Sequence, residues 1–226
     1  MEETALTELE RLQTRILQRI SDLELRAGLP LPYTPQNDNV SANETRLSEI
    51  LLNNGVKYFA FKKVGFDFYD LSLELRRDAL CAASVHHLCK SIVMVNTRAP
   101  SNVTDCSNRN LSKYYVIIVV RYTARCNMKN VKNFLYSLND GKIPRMKFNL
   151  LLAPEEVSEM LTGYVRNGVT CIGMKTDIPI ILDEAIVKLD PDFFWMGGGD
   201  IDLKLGIRTS EFINYLNPFI VNCSSS

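Results

Sequence analysis

One lysine and two glycine-bearing loops hold most of the chemistry this sequence offers. Lys90 stands at the entry of an apolar, strand-like run, Ser91 to Asn96. An ammonium there either snorkels to the surface along its own methylenes or, held in a pocket, supplies a fixed positive charge. The segment Gly163 to Cys171 (GYVRNGVTC) and the run Gly197, Gly198, Gly199 are each either a tight turn or a place where a ligand approaches the main chain and meets free N–H donors. Cys171 adds a thiol to the first loop. No histidine lies near it in sequence to generate the thiolate a nucleophile needs.

Other routes to chemistry are missing. The sequence has no triad spacing, phosphate-binding P-loop or dinucleotide fingerprint. Its six cysteines (Cys81, Cys89, Cys106, Cys126, Cys171, Cys223) form no C-x-x-C pair, and its two histidines are the adjacent His86 and His87. That is a poor ligand set for zinc, so the thiols read as reduced and mostly buried, and neither metal nor cofactor is expected.

The chain of 226 residues is neutral overall, with 26 basic and 26 acidic residues, but the charge is unevenly placed. Between Ser84 and Leu150, eleven Lys or Arg face two acids, Asp105 and Asp140, a net of +9 balanced by −9 elsewhere. Such a segment suits a polyanion such as RNA, whose phosphates release counterions on contact; a solvated surface balanced by acidic neighbours is the other reading. Lys129 and Lys132, on one face of a helix expected from Asn127, and the nearby Arg121 and Arg125 are the candidates for phosphate contact. The most apolar run, Tyr114 to Val120, is far shorter than the roughly 20 residues that span a bilayer. The start, with Glu2 and Glu3, is unlike a secretory signal, and a cytoplasmic protein is expected.

The elements that must position these residues follow from periodicity. Leu6, Leu9, Leu12, Ile16, Ile20 and Leu23 recur at helical spacing within residues 3–26. That amphipathic helix needs a cover: its own domain, a second copy or a partner helix. Residues 28–39 carry three prolines and read as a linker, giving an appendage at 1–39 and a compact domain at 40–226. The domain opens on a Ser41–Glu44 capping box and a helix stopped at Gly55. Further helices are expected from Asn127 to about Asn139, from Pro154 to Gly163, and from Thr209 to about Leu216. Strands are expected at 57–61, 91–96, 113–122, 148–152, 170–174, 178–182 and 202–207, and the polar stretch 97–112 reads as a mobile loop. The fold class is mixed α/β without regular alternation.

Three blocks then carry a resemblance. HLCKSIVMV (His87 to Val95), LTGYVRNGVTCIGMKTDIPIILDEA (Leu161 to Ala185) and GGGDIDLKLG (Gly197 to Gly206) resemble, in the same order, blocks of the YbaK family of aminoacyl-tRNA editing domains, which also occur inserted in bacterial prolyl-tRNA synthetases. The likeness spans roughly Asn43 to Leu216. It implies a mixed, largely antiparallel curved sheet flanked by helices, with a metal-free pocket for the aminoacyl-adenosine end of tRNA. In that pocket Lys90 matches the family's catalytic lysine. Ser91, the loop Asn167, Gly168, Val169, Thr170 and Cys171, the glycines Gly197, Gly198 and Gly199, and Asp202 match its substrate-binding surroundings; Asp183 stands at a similar acidic position. The sequence departs from the family's Gly-x-x-x-Pro loop, since Asn167 and Cys171 replace the glycine and the proline. The activity implied is hydrolysis of the ester of a mischarged tRNA, with small amino acids such as alanine or cysteine favoured. The altered loop leaves open a non-catalytic module that binds tRNA or a synthetase through the retained pocket.

Overall fold

The computed structural model describes residues 10–17, 19–20, 23, 32–33, 40–120 and 127–223; Arg121 and Arg125 lie outside them, as do Leu6 and Leu9. The described residues between 10 and 23 are helical and exposed. Leu12, Ile16, Leu17, Ile20 and Leu23 all keep their apolar surface in solvent, so this stripe is not covered by the domain that follows. Tyr33 donates its N–H to Lys57 O at 2.9 Å and stacks on Phe59 with ring centroids 4.4 Å apart.

Helix α1 (Ala42–Asn53) starts where the capping box places it, with Ser41 Oγ accepting from the Glu44 N–H at 3.1 Å. Strand β1 (Phe59–Lys63) leads to a helix the sequence did not announce, α2 (Leu73–Leu80), capped by Ser72. Then come β2 (Cys89–Asn96), β3 (Tyr114–Val120) and α3 (Met128–Leu138), whose cap is Asn127 as expected. After β4 (Leu150–Leu152) and α4 (Glu155–Thr162), the chain forms β5 (Ile180–Asp183), the short α5 (Glu184–Val187), β6 (Phe194–Gly197), β7 (Leu203–Ile207), α6 (Thr209–Leu216) and β8 (Phe219–Val221).

The strands divide into two sheets. A three-stranded antiparallel sheet has the order β1-β7-β6, and a five-stranded mixed sheet the order β4-β2-β3-β5-β8. In the larger sheet β2 is antiparallel to β3 and β4, while β5 runs parallel to β3 and β8. A parallel bridge from Leu88 to Trp195 joins the sheets at one point. Alternation along each strand sorts the core into layers. Val93, Val116, Ile118 and Leu182 of the larger sheet pack with Phe59, Phe194, Leu205 and Ile207 of the smaller one, under α1 and α6. On the other face, Met94, Tyr115, Ile117 and Ile181 pack against Val131 and Leu135 of α3. A smaller cluster, Phe68, Leu80, Leu88 and Trp195, places α2 on the outer face of the small sheet.

One expectation is corrected. Residues 170–174 form no strand, because side chains take the carbonyls a ladder would use: Tyr164 Oη donates to Ile172 O at 2.6 Å and Arg46 to Gly173 O at 3.0 Å. The stretch 97–112 is pinned at several points. Thr97 N–H donates to Asn149 O at 2.9 Å, Lys113 N–H to Asp105 O at 2.8 Å, and the Arg109 guanidinium stacks 4.3 Å from the Phe219 ring.

The Tyr33–Phe59 stack sets where the chain can be shortened. An aromatic pair contributes about 0.5–1.5 kcal/mol beyond its burial. A protein beginning at Pro32 should therefore melt with the parent, whereas one beginning at Val40 should melt roughly 2–6 °C lower, as differential scanning calorimetry would measure.

Candidate active site

The larger sheet leaves part of β2 open. Strand β4 pairs only with Met94, Val95 and Asn96, and Ala153 adds one bond from its N–H to Val93 O. The first half of β2 therefore has an edge that β4 does not cover. Between that edge, β6, the start of α4 and residues 166–169 lies a cavity of about 580 Å³, in the size range of small-molecule sites. Its walls are mostly apolar, from Leu80, Leu88, Val93, Ala153, Trp195 and Met196.

The sequence-derived site residues divide between this cavity and the packing behind it. Lys90, Ser91, Asn167, Val169 and Gly197 line the cavity. Lys90 is half-buried, and no hydrogen bond or ion pair engages its ammonium among the described residues. Ser91 Oγ is enclosed with no protein hydrogen-bond partner. Asn167 takes a left-handed backbone, φ 69°. Asparagine is, after glycine, the residue that tolerates this region best, so it can occupy this turn where the family's pattern has glycine.

Gly168, Thr170, Cys171, Gly198, Gly199 and Asp202 do not line the cavity but support its wall. The Gly199 N–H donates to Gly168 O at 2.9 Å, and a Cβ on Gly197 would stand 2.3 Å from Val169 O. No side chain separates the two loops. Thr170 and Cys171 are buried, and burial pushes the Cys171 thiol far above its ordinary range, which removes it as a nucleophile. Asp202 is exposed, and its carbonyl accepts from the Val64 N–H at 2.7 Å. Asp183 is buried at the start of α5, where its carboxylate accepts from the Ala185 and Cys223 N–H groups, each at 3.3 Å. The neighbouring turn is tied to α1, since Asp200 accepts from Ser41 Oγ at 3.0 Å and Asn43 Nδ2 at 2.7 Å.

Sequence reasoning missed a second lysine. Lys204 lies on β7 between two core leucines and is 4% exposed. Its ammonium donates to Tyr69 Oη at 2.7 Å, Ile201 O at 2.8 Å and Asn167 O at 3.4 Å. Alternation alone puts Lys204 on the outer face of the small sheet, and only α2 with the segment before it turns that face into a cavity wall.

His87 is also spoken for. Its Nε2–H donates to Pro191 O at 3.1 Å, so Nδ1 accepts from Ser84 Oγ at 2.8 Å. Burial lowers its pKa and keeps it neutral. Among the described residues no group of three His, Cys, Asp or Glu is arranged to hold a metal ion, and no helix is long and apolar enough to cross a membrane.

This architecture has counterparts. A protein proposed to be a trans-editing enzyme for prolyl tRNA synthetase superposes with a TM-score of 0.63 at 17% identity, over 83% of this chain and 100% of that one. A scaffold from computational epitope-backbone grafting gives 0.61 at 16%, over 83% and 99% of the two chains. A hypothetical protein gives 0.58 at 15%, over 80% and 99%. At such identities the likeness is one of fold. Membership comes from the sequence: residues 78–215 match the aminoacyl-tRNA editing domain family, and the chain belongs to that family. Among curated proteins, no sequence matches.

The contact between the two loops tolerates no added atom. Gly197→Ala forces its Cβ into the Val169 carbonyl, and should cost about 3 kcal/mol, lowering the melting temperature by on the order of 10 °C. Thermal unfolding followed by circular dichroism checks this.

Proposed function

We propose that this protein is a trans-editing hydrolase that removes the amino acid from mischarged tRNA without a metal. The observation that carries the reading is Lys90, a lining residue of an otherwise largely apolar cavity, with no hydrogen bond or ion pair to its side chain among the described residues. A cation so placed has its charge available for a ligand. The terminal adenosine and its aminoacyl ester supply what fits: a ribose and phosphate to hold, and an ester whose carbonyl oxygen gains negative charge when attacked. Water adds to the ester carbon, the bond to the ribose oxygen breaks, and the proton passes to that oxygen, giving free amino acid and tRNA. Lys90 stabilises the developing oxyanion, Ser91 stands beside it in the cavity wall, and the main chain of residues 167–169 shapes the site. Such an activity answers a physical need, because synthetase pockets separate side chains that differ by one methylene by only about 10 to 200-fold.

The tRNA body is assigned to the basic segment. Lys129 is exposed and Lys132 half-buried on α3, whose Val131 and Leu135 face the core. Several other cations of the segment are already engaged: Arg145 stacks 4.9 Å from the Tyr136 ring and Lys142 pairs with Asp140 at 3.4 Å. We assign the uncovered apolar stripe between Leu12 and Leu23 to association with a synthetase or a second copy of the chain.

Lys90→Ala should lower kcat/KM for deacylation by about 10²–10³-fold while the protein keeps the parent's melting temperature, and EDTA should leave the parent's rate unchanged. A panel of mischarged tRNAs, with a thermal melt of the variant alongside, measures all three. Full activity in the variant would remove Lys90 from the mechanism.

The salt dependence of binding tests the second assignment. Charge reversal at Lys129 and Lys132 together should weaken tRNA binding and flatten the plot of log affinity against log salt by about 1.4–1.8, two phosphates' share. Filter binding between about 50 and 200 mM salt would read it, and an unchanged slope would return α3 to solvated surface.

A further inference from the structure

The two lysines of the cavity are in opposite states. Lys90 has no partner among the described residues, whereas Lys204 has three acceptors for its three ammonium protons: Tyr69 Oη, Ile201 O and Asn167 O. A fully subscribed ammonium is not offered to a ligand. It joins three separate parts of the chain: the segment before α2, the turn before β7 and the loop of residues 163–171. Tyr69 closes the arrangement by donating its own proton to Asn167 O at 2.6 Å, so both side chains converge on one carbonyl. That carbonyl belongs to the residue with the left-handed backbone.

We propose that Lys204 is a positioning residue of the site: acting with Tyr69, it fixes the Asn167 carbonyl and thereby the turn that holds the residue 166–169 wall of the cavity. The proposal rests on the reading of this cavity as the editing site.

Its surroundings make the clamp sensitive to pH. Burial is the main cause that brings the Lys204 pKa down to about 8; Asp202 opposes that shift and Arg76 on α2 adds to it. Lys62 stands directly across from it on β1, engaged with Cys81 Sγ at 3.1 Å. Lys90 and Arg166 share the cavity, and Arg166 lies 3.7 Å from Glu155. The sign follows from linkage. With a folded pKa below the unfolded value, the buried charge burdens stability at pH 7, and that burden begins to lift as pH rises through about 8 and is gone above the ordinary lysine value of 10.5. The clamp weakens over the same range, because deprotonation costs the amine one donor.

Lys204→Met and Tyr69→Phe, compared with the full-length parent, test this. Amide hydrogen exchange at Gly168 and Val169, read by NMR at pH 7, needs no substrate. It should quicken about tenfold or more in K204M and less in Y69F, with no global loss of protection and a melting temperature equal to or above the parent's. Deacylation by K204M should fall mainly in kcat, and the parent's decline in kcat between pH 7 and 9 should be absent from the variant's profile. Parental loop protection in both variants would overturn the proposal. So would a K204M protein that melts well below the parent with protection lost throughout, because the lysine would then serve the fold alone. If the parent deacylates no mischarged tRNA, the function proposed above fails, and the loop exchange still decides whether Lys204 positions this wall.

Discussion

Backbone meets backbone where Gly168 and Gly199 approach, and most of the site depends on that contact. The Gly199 N–H bonds the Gly168 carbonyl at 2.9 Å, and a Cβ on Gly168 would stand 2.8 Å from Gly199 O. Two loops from distant parts of the sequence thus form one wall with no side chain between them. Everything that stiffens either loop stiffens the cavity. Helix α1 holds both, through Asn43 and Ser41 on Asp200 and through Arg46 on Tyr164 and Gly173. This explains why a helix with no residue in the cavity begins with such a polar first turn. Its capping serine serves the helix and the wall together.

The side chains around the cavity assign chemistry largely by elimination. The neutral His87 has both ring nitrogens engaged, and burial raises the Cys171 and Cys89 thiols well above the range in which they ionise at neutral pH. Lys204 is spent on its three acceptors. Lys90 is then the cavity lysine left with its charge uncommitted among the described residues. Arg166 at the rim is 75% exposed and stands 3.7 Å from Glu155, so solvent screens it.

Legibility in the sequence followed local signals. The caps at Ser41 and Asn127 and the β-branched runs of β2 and β3 are written in neighbouring residues, and each formed where expected. Strands β6 and β8 escaped notice because their pairing partners lie elsewhere in the chain: β6 needs β7, and β8 needs β5. The sequence FWMG reads as a hydrophobic stop before glycines until Trp195 and Met196 are seen on opposite faces of the small sheet. Lys90 was legible through the family likeness, since its local pattern fits a surface lysine equally well. Lys204 was not, because the helix that covers it, α2, is short and weakly amphipathic and follows an irregular stretch. The change from glycine to Asn167 was visible as a departure; that this residue takes a left-handed backbone needed the structure.

The anchoring of Tyr33 bounds how far the exposed N-terminal stripe can stand from Phe59. Its ring lies flat on Phe59, and it stands ten positions after Leu23, the last described residue of the exposed stripe. A chain of ten residues spans at most about 36 Å even when fully extended. The stripe is therefore kept within that radius of Tyr33.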